Sequence, residues 1–271
     1  MKHIYSLRYK IGLLKKMLFE IFEHYIYKKE LNKIKSLKNK YNSKRCFVIG
    51  NGPSINKMNL NLMKNDVVIC ANSFFLKFKD LKFIPDYITV EDHLVAEDNY
   101  EVFNNLKEIK KIYPIDLKKI LSKDDNTYFI ELRRAFNNKK KDGNFKFNNY
   151  DEIFFWGGTV LYMNLQLAQY LGFEEVYLIG VDLSYTIPDD ATVKGSVITS
   201  NSDDPNHFDS TYFGSGKKWH LPETNRMQKS FTNAYLEMKK NGTKLFNATI
   251  GGNLKNIPRV EYESLFERSE S

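Results

Sequence analysis

"RCFVIGNGPSIN", residues 45–56, decides how this chain is read. Arg45–Ile49 is a short apolar run with the character of a buried strand. Gly50-Asn51-Gly52-Pro53-Ser54 then breaks it abruptly. Gly50 and Gly52 permit close backbone approach and positive φ. Ser54 is placed to cap a following helix, whose free N–H groups would face an anion. The turn is not a P-loop, because no Gly-Lys-Ser/Thr follows. It is not the dinucleotide fingerprint either, because Ile55 stands where the third glycine belongs. A tight strand-to-helix turn without a ligand stays open at this point.

Working outward, the same grammar recurs. Asp66–Ala71 (DVVICA) reads as a strand that ends at Asn72, and Asp86–Val90 (DYITV) as one that ends at Glu91-Asp92-His93. Lys110–Ile115 and Thr127–Leu132 are further candidates. Val176–Val181 runs into Asp182, and Lys244–Phe246 is a short last strand. Helices are expected over Thr159–Leu171, 223–241 and Arg259–Arg268. Residues 133–150 read as a polar surface loop. Residues 184–222 read as a loop with little periodicity, and loops beyond roughly 15 residues are usually lids or binding loops. Apolar runs alternating with helices imply an α/β, Rossmann-like fold: a mostly parallel sheet with helices on both faces. Ligands of such sheets bind beyond the carboxyl ends of the strands. Asn72 offers a donor and an acceptor there, Gly157-Gly158-Thr159 opens a helix with Thr159 as its cap, and Asp182 suits hydroxyl groups. Each residue has an ordinary structural reading as well, as turn or cap.

Upstream, residues 1–44 read as a basic amphipathic helical arm before a transferase domain at 45–271. Ile4, Leu7, Ile11, Leu14, Leu18, Ile21 and Tyr25 fall on one helical stripe. Residues 1–45 hold thirteen Lys/Arg against three Glu, so the net charge of +8 belongs to this segment and the rest carries −2. That pattern argues against a nucleic-acid groove over the body and suggests an arm that meets something anionic, such as the inner face of a membrane. For the helix itself, packing on its own domain or on another subunit, which includes self-association into a homo-oligomer, is the first reading, with a peripheral membrane helix and a solvated arm as the alternatives. No apolar run reaches the length of about 18 residues that spans a bilayer, and no secretory signal is evident, so a cytoplasmic protein is expected. Cys46 and Cys70 sit inside apolar runs as core residues, and no metal-type Cys/His spacing occurs. Asp203-Asp204 alone does not make a metal site.

Taken in order, these pieces resemble the bacterial CMP-sialic acid-dependent sialyltransferases of glycosyltransferase family 42. They also resemble a broader set that includes motility-accessory glycosyltransferases and 6-hydroxymethylpterin diphosphokinase-like proteins. The resemblance spans about 45–250 and rests on Gly50–Ser54, Ala71-Asn72, the GGTVLYM run at 157–163, LGFEEVYLIGVD at 171–182 and Asn206-His207-Phe208. It implies a donor site at Asn51, Gly52, Ser54, Asn72, Gly158 and Thr159, and Gly50, Asp182, Glu91 and Glu97 join them as candidates for nucleotide or donor binding. It assigns His207 in the lid as general base, and Tyr185, with Tyr212 second, as donors to a leaving phosphate. The implied reaction is inverting transfer of a sugar from a CMP or other nucleotide donor to a hydroxyl of a surface glycan or lipooligosaccharide, without metal or resident cofactor. Glu97 matches an acidic position of the family. Glu91-Asp92-His93 departs from it, since an acidic pair repels an anionic donor unless a cation compensates. The alternatives are a nucleotide-dependent diphosphotransferase, in which Glu91-Asp92 could help to bind a metal, and a non-catalytic nucleotide- or carbohydrate-binding module.

Overall fold

The computed structural model describes residues 2–138, 145–147 and 152–267. Its centre is an eight-stranded, wholly parallel sheet. In chain order the strands are β1 (Arg45–Ile49), β2 (Val67–Ala71), β3 (Tyr87–Thr89), β4 (Lys110–Pro114), β5 (Thr127–Arg133), β6 (Ile153–Phe155) and β7 (Glu175–Ile179). Three short strands follow, β8 (Thr192–Lys194), β9 (Val197–Thr199) and β10 (Lys218–His220), and β11 (Lys244–Asn247) completes the sheet. The order across it is β11-β7-β1-β2-β3-β4-β5-β6. From β1 the chain winds one way to β6, then returns to the other side of β1 and continues to β11. The topological switch point therefore lies between β1 and β7, at Gly50 and Gly180, where this architecture leaves a crevice.

The strands read as unbroken apolar runs because both faces are covered. Cys46 and Val48 point into one core with Ile69 and Ala71, and Phe47 and Ile49 into the other with Val68 and Cys70. The two cysteines are thus buried, unpaired and on opposite faces of the sheet. Of the helices, α1 (Lys2–Ile26) and α2 (Lys28–Leu31) precede the sheet, and α3 (His93–Asp98) and α4 (Tyr100–Asn105) follow β3. A single turn, α5 (Ala135–Asn138), follows β5, while α6 (Val160–Tyr170) and α7 (Thr224–Lys240) cover the first face. The second face is covered mainly by 3-10 turns and the short α3 and α4. Every residue of α6 is buried. Two of its polar members are tied down: Asn164 accepts from Thr89 Oγ1 at 2.8 Å, and Gln166 exchanges bonds with both N–H and C=O of Phe155 at the edge strand β6.

The structure corrects several expectations. The arm expected over 1–44 divides: α1 ends at Ile26, and Leu31, Ile34 and Leu37 belong to the buried core. The side chains of Ile4 and Leu7 lie outside the described residues. Most of 139–151 also lies outside them, yet Phe145 and Phe147 are buried, so the segment is not simply a surface loop. The lid at 184–222 contains an antiparallel sheet, β8-β9-β10, invisible to periodicity because each strand has three residues. Among the described residues of 259–268 there is no α-helix; one 3-10 turn, Glu263–Leu265, stands in its place. Among the described residues, no helix is long and apolar enough to cross a membrane.

Candidate functional site

The quoted turn is built by crowding. Gly50 N–H donates to Ile179 O at 2.8 Å and Gly52 N–H to Gly180 O at 3.0 Å, which draws the β1 and β7 ends together. A Cβ on Gly50 would lie 2.3 Å from Gly180 O, and one on Gly52 would lie 1.8 Å from Asp182 Oδ2. Neither glycine takes positive φ, contrary to expectation; Gly180 (φ +67) and Asn72 (φ +52) do. The glycines therefore serve space rather than φ. Ser54 is also not a helix cap. It sits inside the 3-10 turn Pro53–Lys57, and its hydroxyl donates to Asp182 Oδ2 at 2.7 Å.

A small cavity of about 90 Å³ opens over this crossing. Gly50, Asn51, Gly52, Asn72 and Asp182 line it, with Thr159 at the start of α6. Thr159 caps that helix, accepting from Leu161 N–H at 3.3 Å. Asn51 donates to Ala71 O at 3.1 Å and to Tyr212 Oη at 2.9 Å, while its own Oδ1 is buried without a hydrogen-bond partner. The helix start and the amide make a polar seat suited to an anion or to hydroxyl groups.

The lid forms the opposite wall. His207 Nδ1 lies 2.7 Å from Asp204 Oδ2. Asp204 is buried and is held by the N–H groups of Asn206 (2.8 Å) and Phe213 (3.0 Å). Because a carboxylate can only accept, the shared proton sits on Nδ1, and in the neutral ring Nε2 is then the acceptor. The Tyr212 ring lies parallel to the imidazole, with centroids 4.0 Å apart and planes 1° apart. Burial pushes the Tyr212 phenol well up, so it stays protonated. Burial, with Asp182 and Asp204 nearby, pushes Tyr185 up to about 12; it is a hydroxyl donor at neutral pH and lines the same cavity.

A second, wider cavity of about 430 Å³ adjoins the first, sharing Asn72, Thr159, Tyr185 and His207 as walls. Gly158 (φ +88) and Glu91 line it, as do Arg134, Trp156, His220 and Arg226. Burial pushes Glu91 up to about 7 against the pull of Arg134, and its Oε2 lacks a hydrogen-bond partner. Arg134 donates to the Glu91 carbonyl, which supplies the compensating cation that the acidic strand end needs. Asp92 caps α3 through Leu94 N–H (2.8 Å) and meets His220 Nδ1 at 2.7 Å, tying β10 of the lid to the end of β3. Glu97 is exposed on α3 and lines neither cavity; its expected role is not met by its position. Among the described residues, no group of three or more His, Cys, Asp or Glu side chains is placed to hold a metal ion.

Sequence reasoning missed Arg134, Trp156 and Arg226. Arg226 sits in the first turn of α7, its guanidinium 5.0 Å from the Trp156 ring, and nothing local marks it. Asp204 was visible as half of an acidic pair, and its spacing of three from His207 was the usable signal.

Residues 22–188, more than half of the chain, match the family described as 6-hydroxymethylpterin diphosphokinase MptE-like, and the chain belongs to that family. The match thus falls on the broader relatives, not on family 42 specifically. No curated protein sequence matches the chain significantly. Among solved structures, the chain is similar to the MAf glycosyltransferase from Magnetospirillum magneticum AMB-1. The TM-score is 0.50 at 15% identity, over 84% of this chain and 35% of that one. The likeness shows the fold, and the chain spans about a third of that protein's length. A mammalian sialyltransferase in complex with Gal-beta-1-3GalNAc-ortho-nitrophenol aligns at a TM-score of 0.33 and 11% identity, over 78% of this chain and 70% of that one, too distant to bear on the chain.

Proposed function

We propose that the paired cavities form the active site of a transferase that moves a sugar from a nucleotide donor to an acceptor hydroxyl, with inversion. One observation carries the reading. The Asp204–His207 pair stands where the small cavity at the switch point meets the wide one. The nucleotide takes the small cavity, its phosphate facing the start of α6 and its hydroxyls Asp182 and Asn72. The sugar and acceptor take the wide one. His207 Nε2 accepts the acceptor's hydroxyl proton as its oxygen bonds to the anomeric carbon. The bond from that carbon to the phosphate oxygen breaks, and its electron pair stays on the phosphate. Tyr185 donates to that developing charge, where preorganised donors matter most. Asp204 fixes the tautomer and stabilises the imidazolium. The name of the structural neighbour MAf agrees with sugar transfer, and a CMP-linked nonulosonate is the donor that the resemblance to family 42 implies.

A second reading is favoured by the family's own description: diphosphate transfer from a nucleoside triphosphate to a hydroxymethyl group on a pterin-like ring. His207 would deprotonate that hydroxyl in the same way, and the acceptor ring would stack on the aromatic walls.

Thermal shift with CMP, UDP, GDP and ATP, each with and without Mg²⁺, separates the readings. A ligand at 100 times its dissociation constant adds about 2.7 kcal/mol of stability. Stabilisation by a nucleoside mono- or diphosphate supports sugar transfer; a response confined to ATP with Mg²⁺ overturns it in favour of the second reading. With the donor so identified, Asp204→Asn and His207→Ala should each lower donor turnover by about 10²–10⁴ with nucleotide binding retained. Unchanged turnover would leave a binding module.

A further inference from the structure

Helix α1 is amphipathic, yet it turns the wrong face to the protein. Leu13, Met17, Glu20 and His24, spaced four, three and four apart, face the body. The attachment is largely polar. Glu20 Oε1 accepts from the N–H groups of Arg134 (3.1 Å) and Ala135 (3.2 Å), and His24 pairs with Glu131. The opposite face carries Ile11, Leu14, Leu18, Phe22 and Tyr25, again at three- and four-residue spacing. These face solvent: Leu18 is 57% exposed, Phe22 59% and Tyr25 72%. Phe19 and Ile26 widen the stripe and are equally open. A helix that packs for its own domain's stability shows the reverse arrangement. The outward stripe is therefore built for another apolar medium.

Charge selects that medium. Lys10 and Lys15 border the stripe and Lys28 and Lys29 follow its end, all exposed. The segment 1–45 carries +10, whereas the remainder of the chain carries −2. A second copy laid along this face would bring like charges together. An anionic bilayer surface meets both demands: the headgroup boundary takes aromatic and aliphatic side chains to a depth of about 5–10 Å, and lysines meet lipid phosphates. We propose that the outward face of α1 docks the protein on an anionic phospholipid surface. The inference is independent of the reading of the cleft. It has a consequence for it, because Glu20 holds the backbone of Arg134, and Arg134 lines the wide cavity.

The test uses the full chain and sedimentation with vesicles. One set is phosphatidylcholine alone; the other adds 30–40% phosphatidylglycerol (roughly the anionic content at which surface attraction is strong). Binding to the mixed vesicles only is expected. Lys10→Glu/Lys15→Glu should weaken it by at least about fivefold per lysine, and Leu18→Ser/Phe22→Ser should abolish it. Both pairs are exposed, so the melting temperature should not move, and far-UV circular dichroism checks that α1 persists. No binding to either vesicle overturns the proposal, as does equal binding to both. A concentration-dependent dimer in light scattering that Leu18→Ser/Phe22→Ser dissociates also overturns it, since the stripe would then be an interface between copies.

Discussion

Replacing Gly50 by alanine tests the account of the quoted turn. The added Cβ would sit 2.3 Å from Gly180 O, 2.9 Å from Gly180 C and 3.3 Å from Leu161 Cδ1. The first two are backbone atoms of a central strand end and cannot swing aside as a side chain could. Relief requires the ends of β1 and β7 to part by about 1 Å, beyond what a close-packed interior gives freely. The bonds that hold them, Gly50 N–H to Ile179 O and Gly52 N–H to Gly180 O, stretch with that movement. A buried backbone group left without its partner costs about 1–3 kcal/mol, so two such bonds put the loss near 2–6 kcal/mol. For a chain approaching this size each kcal/mol moves the melting temperature by roughly 2–4 °C. A drop of at least about 4 °C is expected by calorimetry. Gly12→Ala is the internal control. Gly12 lies within α1 with nothing inside 4 Å of its Cβ position, so alanine there should be neutral or stabilising by up to about 1 kcal/mol. A Gly50→Ala protein that melts within 2 °C of the parent (about one kcal/mol or less) would refute the crowding argument and return the glycines to a ligand role.

Ser54→Ala removes the hydroxyl that donates to Asp182 Oδ2. The loss should be about 1.5–3 kcal/mol, read from urea midpoints, with nucleotide affinity falling as Asp182 is freed; an unaltered midpoint would show that the bond is idle. Glu91 gives a pH signature. Burial raises it to about 7, so between about pH 4.5 and 7 the native protein binds a proton that the unfolded chain has released, and stability falls as pH rises through that window. The accumulated cost above pH 7 is on the order of 3 kcal/mol. Glu91→Gln lacks it, so the urea midpoint of the variant should gain on the parent from pH 5 to about 7 and level off above that. A constant gap would mean that Glu91 is ionised throughout.

What was legible follows physical range. Strands such as Arg45–Ile49 and Val67–Ala71 declared themselves because a parallel sheet buries both faces, leaving an unbroken apolar run that needs no context. Thr159 was legible as a cap because capping is local. The three-residue strands of the lid were not, since no period can register in so short a span. The final helix expected at 259–268 failed because propensity there is overridden: Arg259 bridges to Asn247 at the end of β11, and its guanidinium binds Thr249 O and Gly251 O, which fixes the start of the segment in an extended path.

The site divides along the same line. Turn residues at strand ends could be found without knowing the strand order, because every strand end in this architecture points to one edge. Their partners could not. Ser54 and Asp182 are 128 residues apart, and only the insertion of β7 beside β1 turns a supposed helix cap into a prop for an acid. Gly52 obeys the same logic. Its lack of a side chain serves an oxygen, Asp182 Oδ2, that belongs to the far half of the chain. Arg134 and Arg226 come from β5's end and α7, on either side of the switch, and meet around the wide cavity through the fold alone. The motif at 45–56 thus encodes the position of the cleft, whereas the chemistry of the cleft is set by the strand order that β1 occupies.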